Sequence, residues 1–152
     1  MDARYSNVFI DAWSKVLESF STKQIKSTDI TLPKSHSNNY DIFASIGIIG
    51  DVDGHVYMTM DAETGKILTS EMLGGMEIAD VDEMVISAVG EICNMVMGNA
   101  CTSMSLLNAS VDITPPTVLT RQEMPQLAIN SAYNISVVLE DLDAIDFNVA
   151  VK

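Results

Sequence analysis

Two side chains in the segment Ser87-Ala88-Val89-Gly90-Glu91-Ile92-Cys93-Asn94-Met95-Val96-Met97-Gly98 combine a carboxylate and a carboxamide three positions apart. On a helix, residues three and four apart lie on one face, so Glu91 and Asn94 project together, with Ser87 and Gly98 above and below them at i, i+4, i+7 and i+11. The flanking Ser and Gly are short, so another protein's surface can approach the helix closely and let the two longer side chains reach into a cleft. The residues are poor choices for helix stability: Asn competes for backbone hydrogen bonds, and Gly90 and Gly98 each weaken a helix by roughly 1 kcal/mol relative to Ala. The plain alternative is a solvated face, as most polar pairs on exposed helices are. Against it, Glu91 is the only Glu in the chain with Asn three residues later, and the pair has Ser four residues ahead of it.

The elements that must hold this pair follow from the patterning. Opposite the polar stripe, Val85, Val89, Ile92 and Val96 fall in one narrow apolar stripe, with Ala88 and Met95 on its shoulder. The helix is expected to run to about Leu106, with Asp80 and Glu83 as its N-terminal capping pair. Before it, Ala62 to Leu73 reads as a helix stopped by Gly74-Gly75, and Ser6 to Phe20 as an amphipathic helix with Ser6 or Asn7 available as a cap. A strand is expected near Thr28 to Leu32, followed by a polar loop over Pro33 to Asn39. Ile42 to Ile49 and His55 to Met60 flank the turn-rich Gly50 to Gly54 and should pair antiparallel. Val111 to Leu119 contains Pro115-Pro116, neither of which can donate to a ladder, so it suits an edge strand or a bulge. Asn134 to Glu140 and Ile145 to Val151 read as a last hairpin. Helices separated by hairpins predict an α+β layered fold with a largely antiparallel sheet packed against long helices, in a single domain over 1–152.

The totals narrow the function. At 152 residues the chain is long enough for one core that buries roughly two-thirds of the unfolded surface. Eight basic and twenty-one acidic residues give a net charge of −13, which repels a phosphate backbone and argues against nucleic acid. No uninterrupted apolar run approaches the roughly 20 residues that span a bilayer, and the first residues lack the basic and apolar blocks of a signal peptide, so no membrane partner and a cytoplasmic location are expected. Cys93 and Cys101 are separated by roughly 12 Å of helix rise and cannot pair with each other; both are expected to be buried thiols. Asp51-Val52-Asp53-Gly54 lacks the later Gly and Glu of a calcium loop and reads as a turn. His36 and His55 have no second ligand at metal spacing, and the ten methionines are assigned to core packing. No metal site is expected.

Ser87-x-x-x-Glu91-x-x-Asn94, then Met97-Gly98-Asn99-Ala100 and Pro116-Thr117-Val118, resembles the signature of the CheC/CheX family of chemotaxis phosphatases. The opening Met1 to Tyr5 with the helix after it, the Gly47 to Val56 hairpin and the Leu73-Gly74 helix end extend the resemblance over nearly the whole chain. Pro116 stands one residue nearer to Asn94 than in the family pattern. The chain carries one copy of the motif where CheC proteins usually carry two, which favours the CheX branch. The resemblance implies a substrate, the aspartyl phosphate of a CheY-like response regulator. It assigns water positioning to Asn94, pairing with a regulator lysine to Glu91, and partner docking to Ser87, Gly90 and Gly98. It also implies that magnesium is supplied by the regulator, with no cofactor of the chain's own, and a homodimer joined through its sheets. The competing reading is a non-catalytic module of the same fold that binds a regulator or works in a flagellar switch. A small-ligand sensor ranks behind both.

Overall fold

The computed structural model describes residues 4–21, 23–31, 40–123 and 133–151. Its elements are α1 (Arg4–Phe20), β1 (Ile25–Thr31), β2 (Ile42–Gly50), β3 (Gly54–Met60), α2 (Ala62–Met72), α3 (Glu83–Leu106), β4 (Val111–Ile113), β5 (Thr117–Thr120), β6 (Tyr133–Leu139) and β7 (Ile145–Val151). The strands form one antiparallel sheet in the order β1-β6-β7-β3-β2-β4, with β5 also paired to β2. The α+β layered fold is therefore as expected.

Alternation along the strands builds the core. Ile42, Ala44, Ile46 and Ile48 of β2, Val56, Met58 and Met60 of β3, Ile135, Val137 and Leu139 of β6, and Ile145, Phe147 and Val149 of β7 are all buried in one cluster with the helices. Trp13 of α1 meets Phe147 edge to face at 5.9 Å between ring centroids. Of the methionines assigned to the core, Met58, Met60, Met97 and Met104 are fully buried and Met72 and Met95 partly so, whereas Met76 and Met84 are exposed, against the expectation. On the other face of the sheet Tyr57 stacks on Phe43 and on His55, so His55 serves as a ring in a ladder of aromatics.

The helix ends explain their own positions. Asp61 caps α2 by accepting from the Thr64 amide at 2.7 Å, and the helix stops where Gly74 and Gly75 take φ of 75° and 95°, a region open to glycine at little cost. The Gly75 amide closes the turn on the Ser70 carbonyl at 2.8 Å. At α3 the expected cap is corrected: Asp82, not Asp80, accepts from the Met84 and Val85 amides, at 3.0 and 3.3 Å. Glu83 is then the first residue of the helix, where its charge complements the helix dipole, and its spacing from Asp80 has no capping role.

Four further expectations change. α1 begins at Arg4, so Ser6 and Asn7 lie inside the helix and neither caps it. β1 begins at Ile25, earlier than Thr28, because it is held by backbone pairing to β6 while most of its side chains face solvent, which leaves no alternation to read. Val111 to Leu119 is two strands, each paired to β2, separated by Thr114 to Pro116. α3, at 24 residues, is by length and mean hydropathy apolar enough to cross a membrane, but half of its most apolar window is buried inside the fold; its apolar residues are interrupted in sequence and face the core on several sides. The polar loop expected over 33–39, with His36, lies outside the described residues.

Candidate functional site

α3 packs against α1, α2 and the β2–β4–β5 side of the sheet, and Val85, Val89, Ile92, Cys93, Val96 and Met97 on it are fully buried. That anchoring fixes the rotation of the opposite stripe. Ser87 and Glu91 are exposed, and Asn94 and Gly98 are half-buried. Among the described residues neither the Glu91 nor the Asn94 side chain is engaged in a hydrogen bond or ion pair. The next asparagine on the helix shows the contrast: Asn99 donates through Nδ2 to the Met95 carbonyl at 2.9 Å and is satisfied by its own helix.

Beside the stripe lies an open groove of about 600 Å³ between α3 and the segment joining β4 to β5, lined by Ile86, Ser87, Gly90, Glu91 and Asn94 on one side and by Ile113, Thr114, Pro115, Pro116 and Val118 on the other. Glu91 is the only charged residue of this lining. The two prolines interrupt the ladder on β2, and Thr114 holds the interruption in place: the Gly47 amide donates to Thr114 Oγ1 at 2.8 Å, and the Thr114 amide donates to the Gly47 carbonyl at 3.0 Å. The threonine hydroxyl thus stands where a backbone carbonyl accepts in a regular strand pair.

Four of the five sequence-predicted site residues, Ser87, Gly90, Glu91 and Asn94, meet at this groove, while Gly98 lies a turn beyond it. Gly90 is placed differently from the expectation of a docking residue. It is buried at the groove floor, and a Cβ there would lie 3.3 Å from Val118 Cγ2 and 3.8 Å from Pro116 Cγ, so its missing side chain lets the β5 side approach the helix. Pro116 immediately precedes β5 and faces this glycine. Sequence reasoning did not pick out Ile86, Ile113, Thr114 or Pro115 as groove residues. The signal for the last two was the paired proline between two short apolar runs.

The remaining reactive groups are otherwise occupied. Burial pushes the Cys93 thiol up to about 12, leaving no thiolate near neutral pH. Cys101 is only half-buried, in contrast to the expectation, and burial followed by the charge of Asp112 raises its pKa as well. Asp53 Oδ1 accepts from the Gly50 amide at 3.0 Å and Asp51 Oδ2 from the Ser110 amide at 2.8 Å, so both carboxylates of the acidic turn bind backbone. Among the described residues no three His, Cys, Asp or Glu side chains are grouped to hold a metal ion.

The fold, an antiparallel sheet backed by helices, is shared with solved CheX and CheC-like proteins. The chemotaxis protein CheX of Vibrio vulnificus superposes with a TM-score of 0.86 at 20% identity, over 99% of this chain and 100% of that one. The family model for the chemotaxis phosphatase CheX matches residues 42–139, and the chain belongs to that family. It is similar over its full length to the CheY-P phosphatase CheX of Thermotoga maritima, 27% identical over 152 residues, covering 100% of this chain and 98% of the relative. It is also similar, with a TM-score of 0.77 and 26% identity over 97% of both chains, to CheX of Borrelia burgdorferi in its complex with CheY, beryllium fluoride and magnesium.

Proposed function

We propose that this protein hydrolyses the aspartyl phosphate of a CheY-like response regulator and so ends its signal, with Asn94 and Glu91 as the residues that act on the regulator. One observation carries the assignment to these two side chains: in a chain of the CheX family, both stand on one firmly anchored helix stripe with their polar groups uncommitted. An acyl phosphate is already activated, so hydrolysis needs chiefly a water in line with phosphorus and stabilised charge on the phosphoryl oxygens. Asn94 accepts a hydrogen bond from that water, and being uncharged it does not repel the phosphoryl group. Glu91 pairs with the lysine of the regulator's active site and sets how deeply α3 enters. Magnesium would be held by the regulator's own acidic site and, when bound there, would stabilise charge on the phosphoryl oxygens. Ser87 and Gly98 are short, which lets the regulator come close to the helix. The reaction takes place in the cytoplasm, where the regulator works.

We also propose a homodimer whose sheet continues across a two-fold axis. Of the two lateral edges, β4 and β5 are broken and turned against α3, whereas β1 is a longer strand with Ile30 exposed. Light scattering at micromolar concentration is expected to give twice the chain mass; a monomer there removes this proposal.

The decisive assay mixes the purified protein with a regulator phosphorylated by a small phosphodonor in the presence of magnesium and follows regulator-bound phosphate. Accelerated loss is expected, from a protein that carries no stoichiometric zinc or iron by elemental analysis. Tight binding with no acceleration transfers the assignment to the non-catalytic binding module.

A further inference from the structure

Asn94 can aim a water at phosphorus only if the helix that carries it stands at a set distance from the sheet. Resting on the phosphatase reading, we propose that Gly90 is a positioning residue for this reaction. It touches no partner; its missing side chain seats α3 against β5 at the depth that places the Asn94 carboxamide.

Gly90 lies where that distance is decided. It stands one turn before Asn94 and about 40° round the helix from it, between the buried and the exposed faces. It is itself buried, which keeps it from a docked surface. A Cβ there would lie 3.3 Å from Val118 Cγ2, tighter than ordinary van der Waals contact, and 3.8 Å from Pro116 Cγ. At Gly98, the other glycine of α3, a Cβ would meet nothing within 4 Å, so close approach to the sheet belongs to Gly90 alone of the two.

The sheet side of this contact is the less able to yield. Val118 pairs with Ala44 in the ladder between β5 and β2, and as a β-branched residue it has few χ1 positions to retreat to. Ahead of it Thr114 is tied to Gly47 through both its hydroxyl and its amide, and the two prolines that follow have fixed φ. A methyl group at position 90 therefore displaces α3 and the stripe it carries, by a few tenths of an ångström. Hydrolysis is sensitive to a step of that size, because a misplacement of about 1 Å can cost 10²-fold in rate. Docking is less so: the Glu91 side chain is exposed and has rotamers with which to follow its partner.

The test is steady-state hydrolysis of the phosphorylated regulator by Gly90→Ala, made in the wild-type chain and again in Val118→Ala, which removes the methyl groups that the new Cβ would meet. Turnover is counted per folded molecule, with folding followed by the fluorescence of Trp13, the one tryptophan of the chain and fully buried. In the wild-type background Gly90→Ala is expected to lower kcat about fivefold at unchanged KM. Relative to Val118→Ala alone, the same substitution is expected to change kcat less than about twofold, the non-additivity that marks a direct contact. An equal loss in both backgrounds, a rise in KM at unchanged kcat, wild-type kinetics, or a Gly90→Ala chain that does not fold each overturns the proposal. Asn94→Ala measured alongside keeps the two readings apart: its loss of kcat stands even where the Gly90 proposal fails, and a wild type without activity removes both.

Discussion

The two faces of α3 obey opposite rules. On one, Val85, Val89, Ile92 and Val96 recur with helical spacing and are completely buried, each contributing about 1.5–3 kcal/mol by leaving water. On the other, Ser87, Glu91, Asn94 and Gly98 are placed with the same period, but Ser87, Asn94 and Gly98 are weak helix formers. The buried face is strong enough to hold the exposed one in a fixed rotation, so the exposed residues need not favour the helix they stand on. Residues on the first face should therefore govern whether the protein folds, and residues on the second whether it acts. Substitutions on each face can break that separation.

The largest effect is expected from Asn94→Ala. It removes the group assigned to the attacking water and leaves the charge of the stripe intact, so hydrolysis should fall by about 10²–10³ while regulator binding persists. Wild-type hydrolysis in this variant would reduce the pair to a solvated face. Glu91→Lys should act at the preceding step: a like charge against the regulator's lysine costs several kcal/mol in a partly desolvated contact, so affinity collapses, seen directly by titration. Neither substitution should move the melting temperature by more than a degree or two.

Ile92→Ala, between these two in sequence and fully buried, should do the reverse. It leaves a cavity in the core and is expected to cost about 3 kcal/mol of stability by denaturant unfolding, with turnover per folded molecule near wild type. A large loss of turnover at unchanged stability would show that the two faces are not separable.

What was legible in the sequence divides along the same line. Both ends of α2, the C-terminus of α3 and the hairpins of β2 with β3 and β6 with β7 follow from periodicity and turn residues, because each is decided by its own segment. The polar stripe is legible for the same reason. The start of β1 is not, since an edge strand with exposed side chains is specified by the neighbour it pairs with, and Asp80 and Asp82 offer equally good capping chemistry until packing of Val81 and Val85 selects one. The groove is invisible in any local window. It exists because Gly90 on the helix and Pro116 and Val118 on the sheet edge approach in space, with Thr114 bound to Gly47 behind them.

The smallest effect, and the sharpest use of the comparison, concerns the two glycines of α3. At Gly90 a methyl group would press on Val118 at 3.3 Å, so Gly90→Ala sets a gain in helix propensity against strained packing. At Gly98 a Cβ would meet nothing within 4 Å, so the same change brings only the gain, and Gly98→Ala is expected to stabilise the protein by about 0.5–1 kcal/mol. A glycine kept in a helix where alanine is sterically free calls for a reason outside the fold, and the proposed reason is close approach by the regulator. On that account Gly98→Ala melts at a higher temperature yet binds the regulator a few-fold more weakly. If it melts higher and binds as the wild type does, the docking stripe ends at Asn94, and close approach by the regulator is confined to the helix before it.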